Sequence, residues 1–444
     1  MKYTLYIMVA SALMLSSCSL YKNYESEATV KADLYGDQAV GDSASMASLP
    51  WNEFYTDAHL VQLIQHGLDN NNNVAVAELN ITKAKESLRA ARMAYLPSVS
   101  LSPSVEFSSA GKTTANSYAV ALSGQWQIPS LGTIASRSKQ AQVATEQAAD
   151  QAQAVKTALV GNIAAEYYNL LMLDRELAIY KETIGLWKEA LETMKAMFES
   201  GMCFSPAISQ LAASIEELEI NVIDIEHSIY TTESGLCMLM GDATHSIERG
   251  TFDEFKMPEV VETGVPALLL KNRPDVRAAE RSMAVAYYAT QQSRAAFYPG
   301  VNLTASLGWG FNPAKFLSDV VGSIITPVFQ AGKLQANLKI SEAEQEQTRL
   351  MFAETLLKAG NEVVDAMYSC KSADRKSTHI KRQIELNGEA VASTKELMNN
   401  GKVNYLEVLQ AQQSLLQSQM LEVQNRTNGI TSMISLYTAL GGGF

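Results

Sequence analysis

Cysteine is scarce in this chain, with four in 444 residues, at Cys18, Cys203, Cys237 and Cys370. They are too dispersed for a disulfide framework, and no CxxC metal motif occurs. Cys237 and Cys370 read as small buried apolar residues. The five histidines are scattered without HxxxH spacing, so no metal site is expected. No cluster of five Lys or Arg interrupts a net charge of -12, which excludes the usual electrostatic footprint of a nucleic-acid binder. No Ser/His/Asp triad, paired-carboxylate pocket or phosphate loop emerges, so neither catalysis nor a cofactor is expected. Proline is also sparse, at 11 residues, which leaves long stretches free for unbroken helix. With 47% hydrophobic residues the chain can still bury a sizeable core.

The amino terminus is distinctive. Lys2 precedes an apolar run through Tyr6, Ile7, Met8, Val9, Leu13, Met14 and Leu15, then Ser16, Ser17 and Cys18. A charged start, a short apolar core and small residues at a cleavage point make an export signal over residues 1–17. The run is too short to remain as a membrane span. Leu15-Ser16-Ser17-Cys18 resembles a bacterial lipobox, which implies lipid on Cys18 and a tethered segment over residues 18–50. An ordinary secretory signal with an incidental cysteine is the simpler alternative.

The chain is written twice. Tyr168, Asp174, Arg175, Gly201, Gln210, Ser214 and Gly241 recur as Tyr368, Asp374, Arg375, Gly401, Gln410, Ser414 and Gly441, each 200 residues later. Upstream, Tyr95-Leu96-Pro97-Ser98-Val99 recurs as Phe297-Tyr298-Pro299-Gly300-Val301, 202 residues later. An ordered series at nearly constant offset marks two similar halves, residues 51–240 and 273–444, joined by a linker over 241–272.

Each half opens with a helix, about Val74–Tyr95 and Pro274–Tyr298, ended by Pro97 or Pro299. Strand-like runs follow, over about 98–128 and 300–328. Val99, Leu101 and Val105 alternate with serines, as do Tyr118, Val120, Leu122 and Trp126 with small or polar residues. Leu303, Leu307, Trp309 and Phe311 repeat the pattern, and a fourth run over Ser318–Val328 alternates less cleanly. Strict period two means one apolar and one polar face. Soluble sandwich edges look like this, but so do membrane-spanning strands of about 9–11 residues. Four strands cannot close a membrane barrel, which needs about eight. Three copies would supply about twelve.

Long helices complete each half. Ile163, Leu170, Leu177, Ile184, Leu191 and Phe198 step by seven, with companions Leu159, Glu166, Leu173, Tyr180, Trp187 and Met194. A second series runs Ile208, Ile215, Val222, Ile229 and Leu236, with Leu211, Leu218, Ile225, Thr232 and Leu239. These predict an antiparallel hairpin over about 134–240, turning at 201–205, whose first helix would be roughly 100 Å long. The second half repeats it over about 333–440, turning at 399–404. Its stripe of Val363, Cys370, Ser377, Ile384, Val391 and Met398 is weaker, indicating either closer packing or a wetter face.

Three stretches resemble the TolC-like outer-membrane efflux family, and within it the OprM-type lipid-anchored channels. They are Asn272-Arg273-Pro274-Asp275-Val276, Thr326-Pro327-Val328-Phe329-Gln330-Ala331-Gly332, and Gly401-Lys402-Val403-Asn404-Tyr405-Leu406 with the terminal Tyr437-Thr438-Ala439-Leu440-Gly441. The resemblance implies a mainly α fold with a membrane β-barrel portion: a homotrimer with a 12-stranded barrel and a long periplasmic α-barrel. It implies an outer-membrane location, a periplasmic adaptor and an inner-membrane RND-type transporter as partners, and a passive gated duct. The loops near Ala110–Asn116 and Asn312–Lys315 would then face outside the cell. Gly201, Ser205 and Pro206, with Gly401 and Val403 as the second copy, resemble the adaptor-contact turns. Glu389, Lys395 and Glu396 fall where relatives carry gate acids, although an expected Asp is missing there and ordinary surface pairing suits the same residues. The first strand-to-helix segment, Ile128-Pro129-Ser130-Leu131-Gly132, also departs from the family pattern. Alternatives within the class are type I secretion and metal efflux. Outside it, the alternative is a structural coiled-coil lipoprotein without a pore.

Overall fold

A computed structural model describes residues 22–26, 34, 46–110, 113–128, 132–200, 204–252, 271–311, 314–325, 327 and 330–443. Cys18, Gly201, Cys203, Pro129–Leu131 and most of the linker lie outside them. The elements run α1 (Trp51–Phe54), α2 (Ala58–Asn70), α3 (Asn72–Met93), β1 (Ser98–Ala110), β2 (Thr113–Ile128), α4 (Thr133–Glu199) and α5 (Ser205–Met240). The second half follows with α6 (Pro274–Ala295), β3 (Gly300–Phe311), β4 (Ala314–Ile325), α7 (Lys333–Asn399) and α8 (Tyr405–Ala439). The chain divides into two compact units.

One unit comprises 1–29, 77–151 and 275–356 and carries all four strands. They form a single antiparallel sheet in the order β1-β2-β3-β4. β4 begins at Ala314, earlier than the alternation suggested. Val320-Val321 and Ile324-Ile325 put apolar residues on both faces and blur the period, so only pairing with β3 fixes the register. β1 reaches Ala110 and β2 starts at Thr113, so much of the stretch expected as loop is strand. Within the same unit Asp150 receives hydrogen bonds from Arg277, at 2.9 Å, and Arg281, and Arg281 also reaches Glu146. A carboxylate this buried needs such cationic partners.

The other unit comprises 30–76, 152–274 and 357–444 and holds the main hydrophobic core, including Tyr55, Leu60, Ile64, Ile163, Tyr167, Leu170, Trp187, Leu211 and Leu236. Heptad positions of the first hairpin are buried as expected: Leu159, Ile163, Leu170, Ile184 and Met194 on α4, and Leu211, Ile215, Leu218, Val222 and Ile225 on α5. Phe198 continues the seven-residue step yet is exposed. A straight helix of 3.6 residues per turn drifts about 20° per heptad, so the last step leaves the seam. In the second hairpin polar side chains bond across the seam. Asn387 Nδ2 donates to Ser414 O at 3.1 Å and to Ser418 Oγ at 2.6 Å, and Asn425 Nδ2 donates to Ala373 O at 2.9 Å. Cys237 is fully buried, whereas Cys370 is half-buried and its thiol pKa is raised by burial.

The duplication is also a duplication of hydrogen bonds. Asn71 stands before α3 and Arg273 before α6. Asn71 Nδ2 donates to Leu239 O at 2.8 Å, and Arg273 Nη1 donates to Ala439 O at 3.1 Å. Each thus satisfies a carbonyl left open at the end of a hairpin's return helix. The caps match as well. Gly241 and Gly441 adopt φ of 82° and 91°. At the first, Asp242 N bonds Cys237 O at 2.8 Å; at the second, Gly442 N bonds Tyr437 O at 2.9 Å. Both are Schellman caps, which favour glycine in the left-handed region. A Cβ on Gly441 would lie 2.7 Å from Asn272 O. Gly441→Ala should therefore destabilise the fold by roughly 1–3 kcal/mol through strain and collision. Gly185→Ala, where a Cβ meets nothing within 4 Å, should be neutral or slightly stabilising. Thermal melts of the two variants compare them directly.

Candidate functional site

None of the strand residues whose side chains are described is buried. Register explains what the sheet has instead. Pro103, Val120, Trp309 and Phe316 align across the four strands. Leu101, Leu122 and Leu307 form the next row, and Trp126 with Leu303 another. These rows make one apolar face. The opposite face runs Ser100, Ser123, Ser306, Asp319 in one row and Ser102, Ala121, Gly308, Leu317 in the next, small or polar except on β4.

The apolar face is open. Val99 is 67% exposed, Val320 79% and Ile324 74%. Each such side chain gains about 1.5–3 kcal/mol on leaving water, so the face calls for an apolar cover. From Ser306 to Phe311 the larger residues are exposed while the small ones between are half-covered, as on a sheet curved with its polar side inward. The two outer strands, β1 and β4, have no further strand beside them among the described residues.

Dimensions suit lipid. The 12 residues of β3 span roughly 40 Å, and a tilt of about 40° lowers this to roughly 30 Å, the hydrocarbon thickness of a bilayer. Aromatic residues mark both ends. Trp309 and Phe316 pack with ring centroids 6.0 Å apart towards the hairpin turns. At the opposite end Tyr95, Phe297 and Tyr298 are exposed, and Trp126 Nε1 donates to Tyr95 O at 3.2 Å. Rings with an apolar body and a polar handle favour the interface. Among the described residues no helix is long and apolar enough to cross a membrane.

The hairpin turns are a separate surface. Ser205 and Pro206 are exposed in the first turn of α5, where Pro costs no hydrogen bond. Phe204 before them is 83% exposed. Gly401 is exposed with φ of 68° and closes α7: its N–H bonds Met398 O and the next N–H, of Lys402, bonds Leu397 O, each at 2.9 Å. Val403 is half-buried. Glu389, Lys395 and Glu396 are exposed along α7, and no ion pair joins them among the described residues.

Sequence reasoning missed the fastening of the linker's first residues. Arg249 donates through Nε to Asp174 at 2.5 Å and through Nη1 to Glu233 at 2.5 Å. Those hydrogen bonds raise the guanidinium pKa against the opposing effect of burial. Tyr167 joins the same anchor, donating to Asp57 at 2.7 Å and accepting from Gly250 N at 3.1 Å. Burial, first of all, lifts its phenol pKa well above the usual value. The recurrence of Asp174 as Asp374 was the available signal, but it names no partner.

Comparison with known proteins agrees with this geometry. A sequence model described as outer membrane efflux protein matches residues 63–242 and 265–442, one segment for each half. The cation efflux system protein CusC of Escherichia coli O6:H1 is 26% identical over 98% of this chain and 97% of its own length. The solvent efflux pump outer membrane protein SrpC of Pseudomonas putida is 29% identical over 97% of each chain. A crystal structure of CusC superposes with a TM-score of 0.85 at 24% identity, covering 96% of this chain and 100% of that one.

The two faces generate a test. Leu307→Lys on the apolar face should cost about 2–4 kcal/mol if it meets the bilayer midplane, while Ser306→Lys on the other face should be tolerated. Membrane fractionation reads the difference. Equal loss of insertion for both would reject the two-faced assignment.

Proposed function

The chain belongs to the outer membrane efflux protein family, and from that premise we propose that it is the channel component of a tripartite efflux pump, a passive duct built by three copies. The observation that carries this reading is the sheet: apolar on one face, mostly small or polar on the other, and without a further strand beside β1 and β4 among the described residues. In lipid an open edge leaves N–H and C=O groups without partners at a cost of several kcal/mol each. Pairing β4 of one copy with β1 of the next removes every edge after three copies, giving about twelve strands. The polar faces then line a water-filled lumen.

In this reading the driving energy comes from an inner-membrane RND-type transporter, linked through a periplasmic adaptor. The exposed turns offer that adaptor Ser205, Pro206, Gly401 and Val403, with Gly201 beside them in sequence. We assign residues 1–17 to an export signal and Cys18 to the lipid anchor, on the strength of the Leu15-Ser16-Ser17-Cys18 motif. CusC and SrpC, named for cation and solvent efflux, resemble this chain to similar degrees, so cargo choice is assigned to the transporter. Glu389, Lys395 and Glu396 are exposed and no ion pair joins them among the described residues, so ordinary surface charge is the reading adopted for them.

Outer-membrane extracts should contain a heat-modifiable trimer that carries acyl label and conducts ions in planar bilayers. Cys18→Ala should lose the label. A monomer without conductance would sink the duct, and a labelled Cys18→Ala protein would sink the anchor. A second experiment addresses the turns. Gly401→Glu adds a bulky charge at an open position, where a Cβ meets nothing within 4 Å. It should weaken capture of the adaptor more than Gly401→Asn, which suits the left-handed conformation, with the trimer intact in both. Equal capture would reduce Gly401 to turn geometry.

A further inference from the structure

The four strands contain three charged residues, Glu106, Lys315 and Asp319. Register places all three on the polar side of the sheet. Glu106 stands opposite Ser117 and Lys315 opposite Gly310, both near the hairpin turns. Asp319 stands four residues deeper, in the row of Ser306, Ser123 and Ser100. It is exposed, and no cation pairs with it among the described residues.

We propose that Asp319 forms a ring of three carboxylates in the lumen of the assembled barrel and makes the pore prefer cations. This rests on the three-copy pore reading above. Rotational symmetry sets all three carboxylates at one height. About twelve strands roughly 4.8 Å apart, tilted by about 40°, give a barrel radius of roughly 12 Å. A carboxylate reaching inward lies about 8–9 Å from the axis, inside the Debye length of about 10 Å at 0.1 M salt. Its potential therefore covers the whole cross-section rather than a rim. Nothing in its row neutralises it, since the neighbours are serines. β4 is an outer strand, so closure sets Asp319 beside the next copy's β1. The polar face of that strand reads Ser98, Ser100, Ser102 and Ser104 at these depths, again without a cation. Acidic rings of this kind select cations by raising their local concentration.

Purified trimers in planar bilayers under a KCl gradient test the assignment, with the reversal potential as the readout. The wild type should favour potassium over chloride. Asp319→Asn should lower that ratio at least about twofold at 0.1 M salt, and the difference should shrink at 1 M, where the Debye length is about 3 Å. Asp319→Glu should keep the wild-type ratio. Ser306→Asp, which adds a charge at the same height, should raise it. Should Asp319→Asn fail to assemble, Ser306→Asp decides, and an unchanged ratio overturns the proposal. Conducting Asp319→Asn channels with wild-type selectivity overturn it too. Absence of conductance in every protein, wild type included, refutes the pore reading itself and takes this inference with it.

Discussion

The edge of a β-sheet must find hydrogen-bond partners, and in a bilayer water cannot supply them. That constraint governs the rest of this protein. Four strands in one antiparallel sheet leave β1 and β4 unpaired on their outer sides. Their apolar face stands open and none of their described residues is buried. A sheet of this kind is one sector of a wall. On the three-copy reading, its apolar rows and its aromatic ends belong to a wall that further copies of the chain complete.

The helical portion answers a different demand, which is to end long helices without loose carbonyls. Both halves use the same solution. A residue just ahead of α3 or α6, Asn71 or Arg273, reaches a carbonyl at the end of the hairpin, and a left-handed glycine turns the chain beside it. The chemistry differs while the geometry is retained. Asn71 is neutral and also caps α3, accepting from Asn73 N at 2.8 Å, whereas Arg273 carries a charge that Glu362 meets at 2.7 Å. The hairpins differ likewise: the first is sealed by large apolar residues, the second by small ones with Asn387, Ser418 and Asn425 bonded across the seam.

Much of this was legible in the sequence, for physical reasons. Alternation in β1, β2 and β3 was visible because each strand meets two different solvents. The heptads of α4 and α5 were visible because one helix face stays dry. The start of β4 was not, since Val320-Val321 and Ile324-Ile325 erase the alternation and pairing alone sets its bounds. Asn71 with Leu239 and Arg249 with Asp174 join residues far apart in the chain, and no local period announces such contacts. The resemblance to a family supplied the three-copy assembly. The open edges of the sheet supply a physical reason for it.

The two offsets of the internal repeat carry one more consequence. Residues before the strands recur after 202 positions and those in the hairpins after 200, so the first strand pair and its connections are longer by two. The difference is even. Side chains alternate along a strand, so adding two residues restores every later side chain to its own side of the wall, while adding one would exchange inside for outside. The first strand hairpin pairs thirteen residues per arm and the second twelve, so the two arms changed length together, by one residue each, and the faces kept their sides. Anyone lengthening these strands inherits the same arithmetic: growth in twos preserves the partition between lipid and lumen, and growth by one inverts it.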